Sequence, residues 1–502
     1  MAGYILAIDQ GTTGSTAIIF DVKGRPIGKG YQEITQHYPQ PGWVEHDAVE
    51  IWTRTLRAIR EALSAANLHG HQLTGIGITN QRETVVLWDR ETGKPLHNAI
   101  VWQCRRTAEQ CQQLANSPVA KTITEQTGLV VDAYFSASKL AWLLEHIPDA
   151  RGAAEQGRLA AGTIDSWLLW NLTAGRVHST DVTNASRTML FDIHRLAWSE
   201  ELLETFGIPA PLLPTVRPSG CKFGDTAEIE ILPAGIPIAA IAGDQHAALF
   251  GQNCFEAGQA KNTYGTGCFM LMNTGGKAVP SRNRLLTTLA WQREGAPPLY
   301  ALEGSVFMAG AAVQWLRDGL GIITQAADSE ALASSVPDTG GVYLVPAFVG
   351  LGAPYWDGFA RGTIVGLTRG SSRAHITRAT LEAIAYQTRD ILDAMAKDSG
   401  VSLAELRVDG GATANNFLMQ FQADVLGVSV VRQNQVESTA WGAAALAGLT
   451  TGLWESQEAL SHLQSGDRRF EPSLSSPQRA SLYSGWQRAV ERSRNWDVSH
   501  GA

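Results

Sequence analysis

Tyr4-Ile-Leu-Ala-Ile-Asp-Gln-Gly-Thr-Thr-Gly-Ser-Thr-Ala-Ile-Ile-Phe-Asp21 is an apolar run ending in a carboxylate, a short Gly/Thr turn, and a second apolar run. It reads as strand, tight turn, strand. Within the turn, Gly11 and Gly14 let backbone N–H groups come close to an anion, and Thr12, Thr13 and Ser15 add hydroxyl donors. Asp9, at the strand end, is placed to hold Mg²⁺, an ion that keeps most of its waters. Together these parts suit a nucleoside triphosphate. An ordinary hairpin would carry the same residues for packing alone.

The device returns in the second half. Lys261-Asn-Thr-Tyr-Gly-Thr-Gly-Cys-Phe-Met-Leu-Met-Asn273 is again strand, Gly/Thr turn, strand. Further on, Asp409-Gly-Gly-Ala-Thr-Ala-Asn-Asn416 puts glycines where a helix begins near Asn415, a residue able to hydrogen-bond a ribose or a base edge. Each alone could be a plain turn; three in this order would be a coincidence. None is the Walker loop, and no Gly-x-Gly-x-x-Gly follows the first strand.

Between these loops the pattern is α/β. Residues 47–63 carry apolar positions at 49, 52, 56, 59 and 63, one helical face, with Asp47 as N-cap. Gly75–Thr79, Thr84–Trp88 and Ile238–Gly243 read as strands, Arg373–Asp398 as a long helix, and Gly304–Arg317 as a helix with a small-residue start. Each half thus opens with a similar loop, a repeat of architecture rather than of sequence. Two related domains meeting near Phe250–Ala257 are expected, and 502 residues allow two cores.

Apolar residues at 44% and charged residues at 18% indicate a globular chain. A net charge of −8 without a basic run argues against a nucleic-acid partner. No segment reads as a signal peptide or as a membrane span. Five scattered cysteines (104, 111, 221, 254 and 268) suit reduced thiols in the cytoplasm.

Two polar constellations carry further chemistry. Asn80-Gln-Arg-Glu83 places a guanidinium and a carboxylate at a strand end, suited to hydroxyl groups if it faces a cleft and worth little as a surface ion pair. Gly243-Asp-Gln-His246 ends an apolar strand with a carboxylate. Asp244 is the candidate base, with a helix N-cap as the plain alternative, and His246 is the weaker candidate. Trp102 and Phe269 could wall a small carbon skeleton or simply fill a core.

On these residues, together with Trp102-Gln-Cys-Arg-Arg106, Asp132-Ala-Tyr-Phe135 and Ser138–Trp142, the chain resembles the glycerol-phosphorylating members of the carbohydrate kinase family. The resemblance runs from Asp9 to about Arg492. It implies an α/β fold of two actin-like (ribonuclease H-like) ATPase domains flanking a central cleft, with residues 1–252 binding glycerol and 253–502 binding nucleotide. It implies that Arg82, Glu83, Tyr134, Asp244 and Gln245 hydrogen-bond glycerol, that Trp102 and Phe269 pack on its carbons, and that Asp244 is the general base. It assigns Thr12, Thr13 and Thr266 to the phosphates of ATP, Gly310, Gln314, Gly411 and Asn415 to the adenosine side, and Asp9 with Asp244 to Mg²⁺. A homo-oligomer of two or four chains in the cytoplasm, not inserted in a membrane, goes with it. Another small polyol or ketose is the alternative acceptor. A filament- or chaperone-type ATP-binding module would lack the Arg82–Glu83 and Asp244–Gln245 pairs. The chain departs from the family pattern at Gly14 and Thr16, where a serine and an arginine are usual, in the 228–237 loop and around Pro218–Cys221. Neither sugar-bisphosphate inhibition nor a regulatory histidine is expected.

Overall fold

The opening hairpin forms as expected. In the computed structural model, which describes residues 3–433, 437–463 and 467–497, strands Tyr4–Gln10 and Gly14–Phe20 pair antiparallel with Asp9 opposite Thr16. The Gly11 N–H donates to the Gly14 carbonyl at 2.9 Å and closes the turn. Pro26–Glu33 adds antiparallel to the second strand. Leu73–Asn80 and then Pro237–Gly243 add in parallel beyond the first, and Gly224–Asp225 closes that edge.

The second sheet repeats this order. Leu299–Val306, Cys268–Gly275, Gln259–Tyr264, Glu405–Asp409 and Val430–Arg432 lie side by side, with only Cys268–Gly275 reversed. Leu286–Trp291 and Arg468–Phe470 extend its edges. Five strands with the second reversed, twice over, make the two actin-like halves. The repeat suspected in the sequence is therefore one of topology.

Asp47 caps the first long helix, Ala48–Ala66, by accepting from the N–H groups of Val49 and Glu50 at 2.8 and 3.2 Å. The buried face differs from the expected one. Ala48, Ile51, Thr55, Ala58, Ile59, Ala62 and Leu63 are buried, whereas Val49 is 50% exposed. The shift follows from Gly28 and Gly30 on the neighbouring strand, where a Cβ would overlap the carbonyl oxygens of Ala62 and Ala58. The helix axis sits so close that small residues, not the bulky Trp52 and Leu56, form the contact.

A second expectation is corrected at Gly304. The strand runs on to Val306, and the helix starts only at Gly310. Gly304 is small because a Cβ there would stand 2.5 Å from Ile391 of the long core helix Arg373–Ser399. The helix Ser438–Thr451 then lies against the first sheet. Its Trp441 and Leu446 share a core with Ile5, Ile18 and Phe20 from one half and Leu271 and Ala301 from the other. One apolar cluster therefore spans both halves. All five cysteines are buried and free. Among the described residues no helix is long and apolar enough to cross a membrane.

Candidate active site

Register gathers the polar turns. Asn80 lies beside Gln10 on one side and Gly243 on the other. Three parallel strands thus end together. The Gly11–Gly14 turn, Arg82–Glu83 and Asp244–Gln245 all leave the carboxyl edge of one sheet, the place where α/β folds bind ligands. Local backbone is shaped to the purpose. Glu83 holds φ +63°, a left-handed conformation that costs a non-glycine residue about 1–3 kcal/mol and marks a site its surroundings enforce. Gly243 leaves room for Arg82, whose Cγ would stand 2.8 Å from a Cβ there.

Arg82 is the hub of a buried ion cluster. Its Nη1 and Nη2 donate to Glu303 Oε2 and Oε1 at 2.5 and 3.1 Å, and its Nε lies 3.2 Å from Asp244 Oδ1. Arg187 donates from Nε to Glu83 Oε1 at 2.6 Å and from Nη2 to Glu303 Oε1 at 3.1 Å. Two guanidiniums face three carboxylates. Burial opposes the charge on Glu303, but Arg187 and Arg82 hold its carboxyl down at about 2. Burial would likewise weaken Arg82, and Glu303 followed by Glu83 holds its pKa above the usual arginine value. Glu83 goes the other way, because burial pushes it up and Arg187 and Arg82 offset that only in part. Asp244 is the open member, 30% exposed against 3% for Arg82 and 1% for Glu83. It is the carboxylate that can meet a ligand in the cleft.

An aromatic wall adjoins the cluster. Trp102 and Tyr134 meet edge to face with centroids 5.5 Å apart, and Arg187 sits 5.7 Å from the Tyr134 ring centre. Trp102 Nε1 donates to Thr12 Oγ1 at 2.9 Å, while Thr13 is exposed. Buried Lys139 clamps the Tyr134 turn, donating to the carbonyls of Ala133, Tyr134 and Phe135 at 2.6, 2.7 and 2.9 Å. Burial pulls its pKa down to about 8. Phe269 pairs with Thr263 and Ser305, which by strand alternation puts it on the sheet face that carries Lys261 and Glu303. Gln245 is gripped by Lys261 through its amide oxygen. His246 is buried behind the site, bonded to Thr288 at 3.3 Å; burial and then Arg82 keep its pKa well below the usual histidine value.

The second sheet builds a separate cavity of about 390 Å³. Thr266, Gly310, Gln314, Gly411 and Asn415 line it, with Val313, Leu381 and Leu418 as apolar walls. Thr12 and Thr13 are not among its lining residues and stay with the first hairpin. The cavity depends on backbones in contact. A Cβ on Gly310 would stand 2.6 Å from the Gly265 carbonyl, and the N–H groups of Gly310 and Ala311 donate to the carbonyls of Gly265 and Thr266 at 2.9 and 3.1 Å. Asn415 is already engaged, its Oδ1 accepting from the Leu418 N–H at 2.9 Å and its Nδ2 donating to Ser329 Oγ at 3.2 Å. Ser329 and Glu330 also line the cavity and escaped notice in the sequence, since a short polar helix carries them.

Asp9 sits at the end of the first strand. Burial, then Asp244 and Glu437, push its carboxyl up to about 7. A divalent cation would relieve that repulsion. Among the described residues no three ligating side chains gather into a cage. Two carboxylates are what Mg²⁺ takes when phosphate oxygens and waters complete its shell. Arg187, Glu303 and Lys261 were missed in the sequence. Glu303 stands as a lone charge in the mostly apolar strand Leu299–Val306, whereas Lys261 sits among polar residues in Gln259–Tyr264 and Arg187 in a turn, where neither stands out.

Residues 4–251 match the N-terminal domain, and residues 260–451 the C-terminal domain, of the FGGY family of carbohydrate kinases. The glycerol kinase of Symbiobacterium thermophilum is 63% identical over 98% of this chain and 99% of its own. That of Carboxydothermus hydrogenoformans is 58% identical over 99% of each. Among solved structures, the Plasmodium falciparum glycerol kinase with ADP is similar at a TM-score of 0.94 and 38% identity, covering 98% of both chains.

Proposed function

The chain belongs to the FGGY family of carbohydrate kinases, and we propose that it transfers the γ-phosphoryl group of ATP to a terminal hydroxyl of glycerol, giving sn-glycerol 3-phosphate. The observation that carries this reading is the near-full-length identity to glycerol kinases, 63% and 58% in the two cited. The polar cluster at Arg82, Glu83 and Asp244 beside the Trp102–Tyr134 wall supports it.

Glycerol is small, and a ligand gains at most roughly 1.5 kcal/mol per non-hydrogen atom. It must use nearly every hydroxyl. Charged donors and acceptors therefore suit it better than an apolar pocket. In this reading Arg82, Glu83, Tyr134 and Gln245 hold the hydroxyls, and Trp102 and Phe269 cover the carbons. Asp244 takes the proton of the attacking hydroxyl as its oxygen bonds to phosphorus and the bond to ADP breaks. Such a base contributes about 10²–10⁴-fold. Thr12, Thr13 and Thr266 meet the phosphates, while Gly310, Gln314, Gly411 and Asn415 form the adenosine side. Asp9 and Asp244 would hold Mg²⁺, which supplies charge neutralisation at the β- and γ-phosphates. Positioning does most of the work, because the transition state is loose. Closure of the cleft keeps out water, the competing acceptor.

ADP release measured with glycerol, dihydroxyacetone, erythritol and xylulose in parallel tests the proposal. Glycerol is expected to give the highest kcat/KM, and faster turnover of xylulose would overturn it.

A further inference from the structure

The Gln245 amide can present either of two ends. Its oxygen and nitrogen are nearly the same size, so shape does not decide which of them meets a ligand. Lys261 decides it. This lysine is fully buried on the strand Gln259–Tyr264 of the C-terminal half. Its Nζ donates to Gln245 Oε1 and, at 3.0 Å, to Thr263 Oγ1. An ammonium has donors and no acceptor, so the amide oxygen must face it and the amide NH₂ must face away.

We propose that Lys261 is a positioning residue that locks the Gln245 amide with its NH₂ group toward the acceptor hydroxyl. The proposal rests on the reading of that acceptor as glycerol. The neighbouring carboxylates Asp244 and Glu83 only accept, and Arg82 commits N–H groups to Glu303 and Asp244. A hydroxyl that gives its proton to Asp244 still needs a donor for its lone pairs. Gln245 Nε2, on the residue next in sequence, supplies it. With the amide reversed, its oxygen would meet those lone pairs and its NH₂ would meet the ammonium, two repulsive contacts at once. The seat is costly for a lysine. Burial pulls its pKa down, and Asp409 and Asp244 oppose this. An uncharged side chain would fill the same space without that cost.

Steady-state kinetics of the wild type, Lys261→Met, Gln245→Ala and the double variant test the proposal. Lys261→Met is expected to raise the KM for glycerol about tenfold, the scale of one misdirected hydrogen bond, with the KM for ATP within about twofold. The double variant is expected to be no worse than Gln245→Ala alone, because the lysine acts through the amide. An unchanged KM for glycerol, an equal rise in the KM for ATP, or single effects that multiply in the double variant would each overturn it. Should Lys261→Met fail to fold, Lys261→Arg and Lys261→Gln give the same contrast. Arginine, also donor-only, is expected to keep the glycerol KM and glutamine to lose it; equal KM values in the two would count against the proposal. A wild type that turns over no glycerol takes down the functional reading, and the proposal with it.

Discussion

Asp9 carries the electrostatic strain of this site in one carboxyl group. Folding raises its pKa from 3.8 to about 7, through burial first and then through Asp244 and Glu437. Between those values the folded chain holds a proton that the unfolded chain has released. Stability therefore falls as pH rises through this window, and the penalty is complete above about pH 7. Asp9→Asn removes the titration. In metal-free buffer its melting temperature is expected to match the wild type at about pH 4 and to exceed it by several degrees at about pH 8; a gap independent of pH would show that Asp9 does not titrate in this window. Asp9, Arg82, Glu83 and Asp244 were legible because each follows an apolar run, where a strand delivers its next residues to a sheet edge. Arg187, Glu303 and Lys261 were not. A single charge, inside a strand as at Glu303 and Lys261 or in a turn as at Arg187, reads as a solvent-facing position until the partner charge is known.

At the scale of elements, Asp244 is aimed by a helix crossing. Helix Asp244–Gly251 and helix Ser438–Thr451 touch backbone to backbone, since a Cβ on Gly442 would overlap the Ala247 carbonyl and one on Gly251 the Ser438 carbonyl. Gly77, on the strand that leads to Arg82, meets the Ala443 carbonyl in the same way. The seat of one helix thus sets both Asp244 and Arg82. Gly442→Ala is expected to cost about 1–3 kcal/mol, read as a lower urea midpoint, and to lower kcat as Asp244 shifts. A midpoint and kcat equal to wild type would show that the crossing is slack. Periodicity located the long helices, but it could not reveal these contacts. Glycines announce a close approach only when the opposing element is known, which is also why the buried face of Ala48–Ala66 fell about one residue from the expected one.

Across the whole molecule, the two halves interleave. Two α/β halves and three glycine-bearing turns were readable from alternating apolar runs and glycines. That Glu303 would reach from the second sheet to Arg82 and Arg187 was not, because such a pairing joins positions 221 and 116 residues apart. This buried bridge ties the two halves together beside Asp244. Glu303→Gln leaves two guanidiniums short of a counter-charge, and breaking one side of a buried pair costs about 3–5 kcal/mol. A fall in melting temperature together with a higher KM for glycerol is expected; loss of stability with an unchanged KM would confine Glu303 to a structural part. Both halves are expected to converge on one phosphoryl transfer. A crystal structure with glycerol and a non-hydrolysable ATP analogue tests it most directly. A terminal glycerol oxygen is expected to be hydrogen-bonded to Asp244 and about 3–3.5 Å from the γ-phosphorus, with the adenine in the cavity lined by Gly310 and Asn415. Glycerol bound away from Asp244, or an analogue seated outside that cavity, would contradict it.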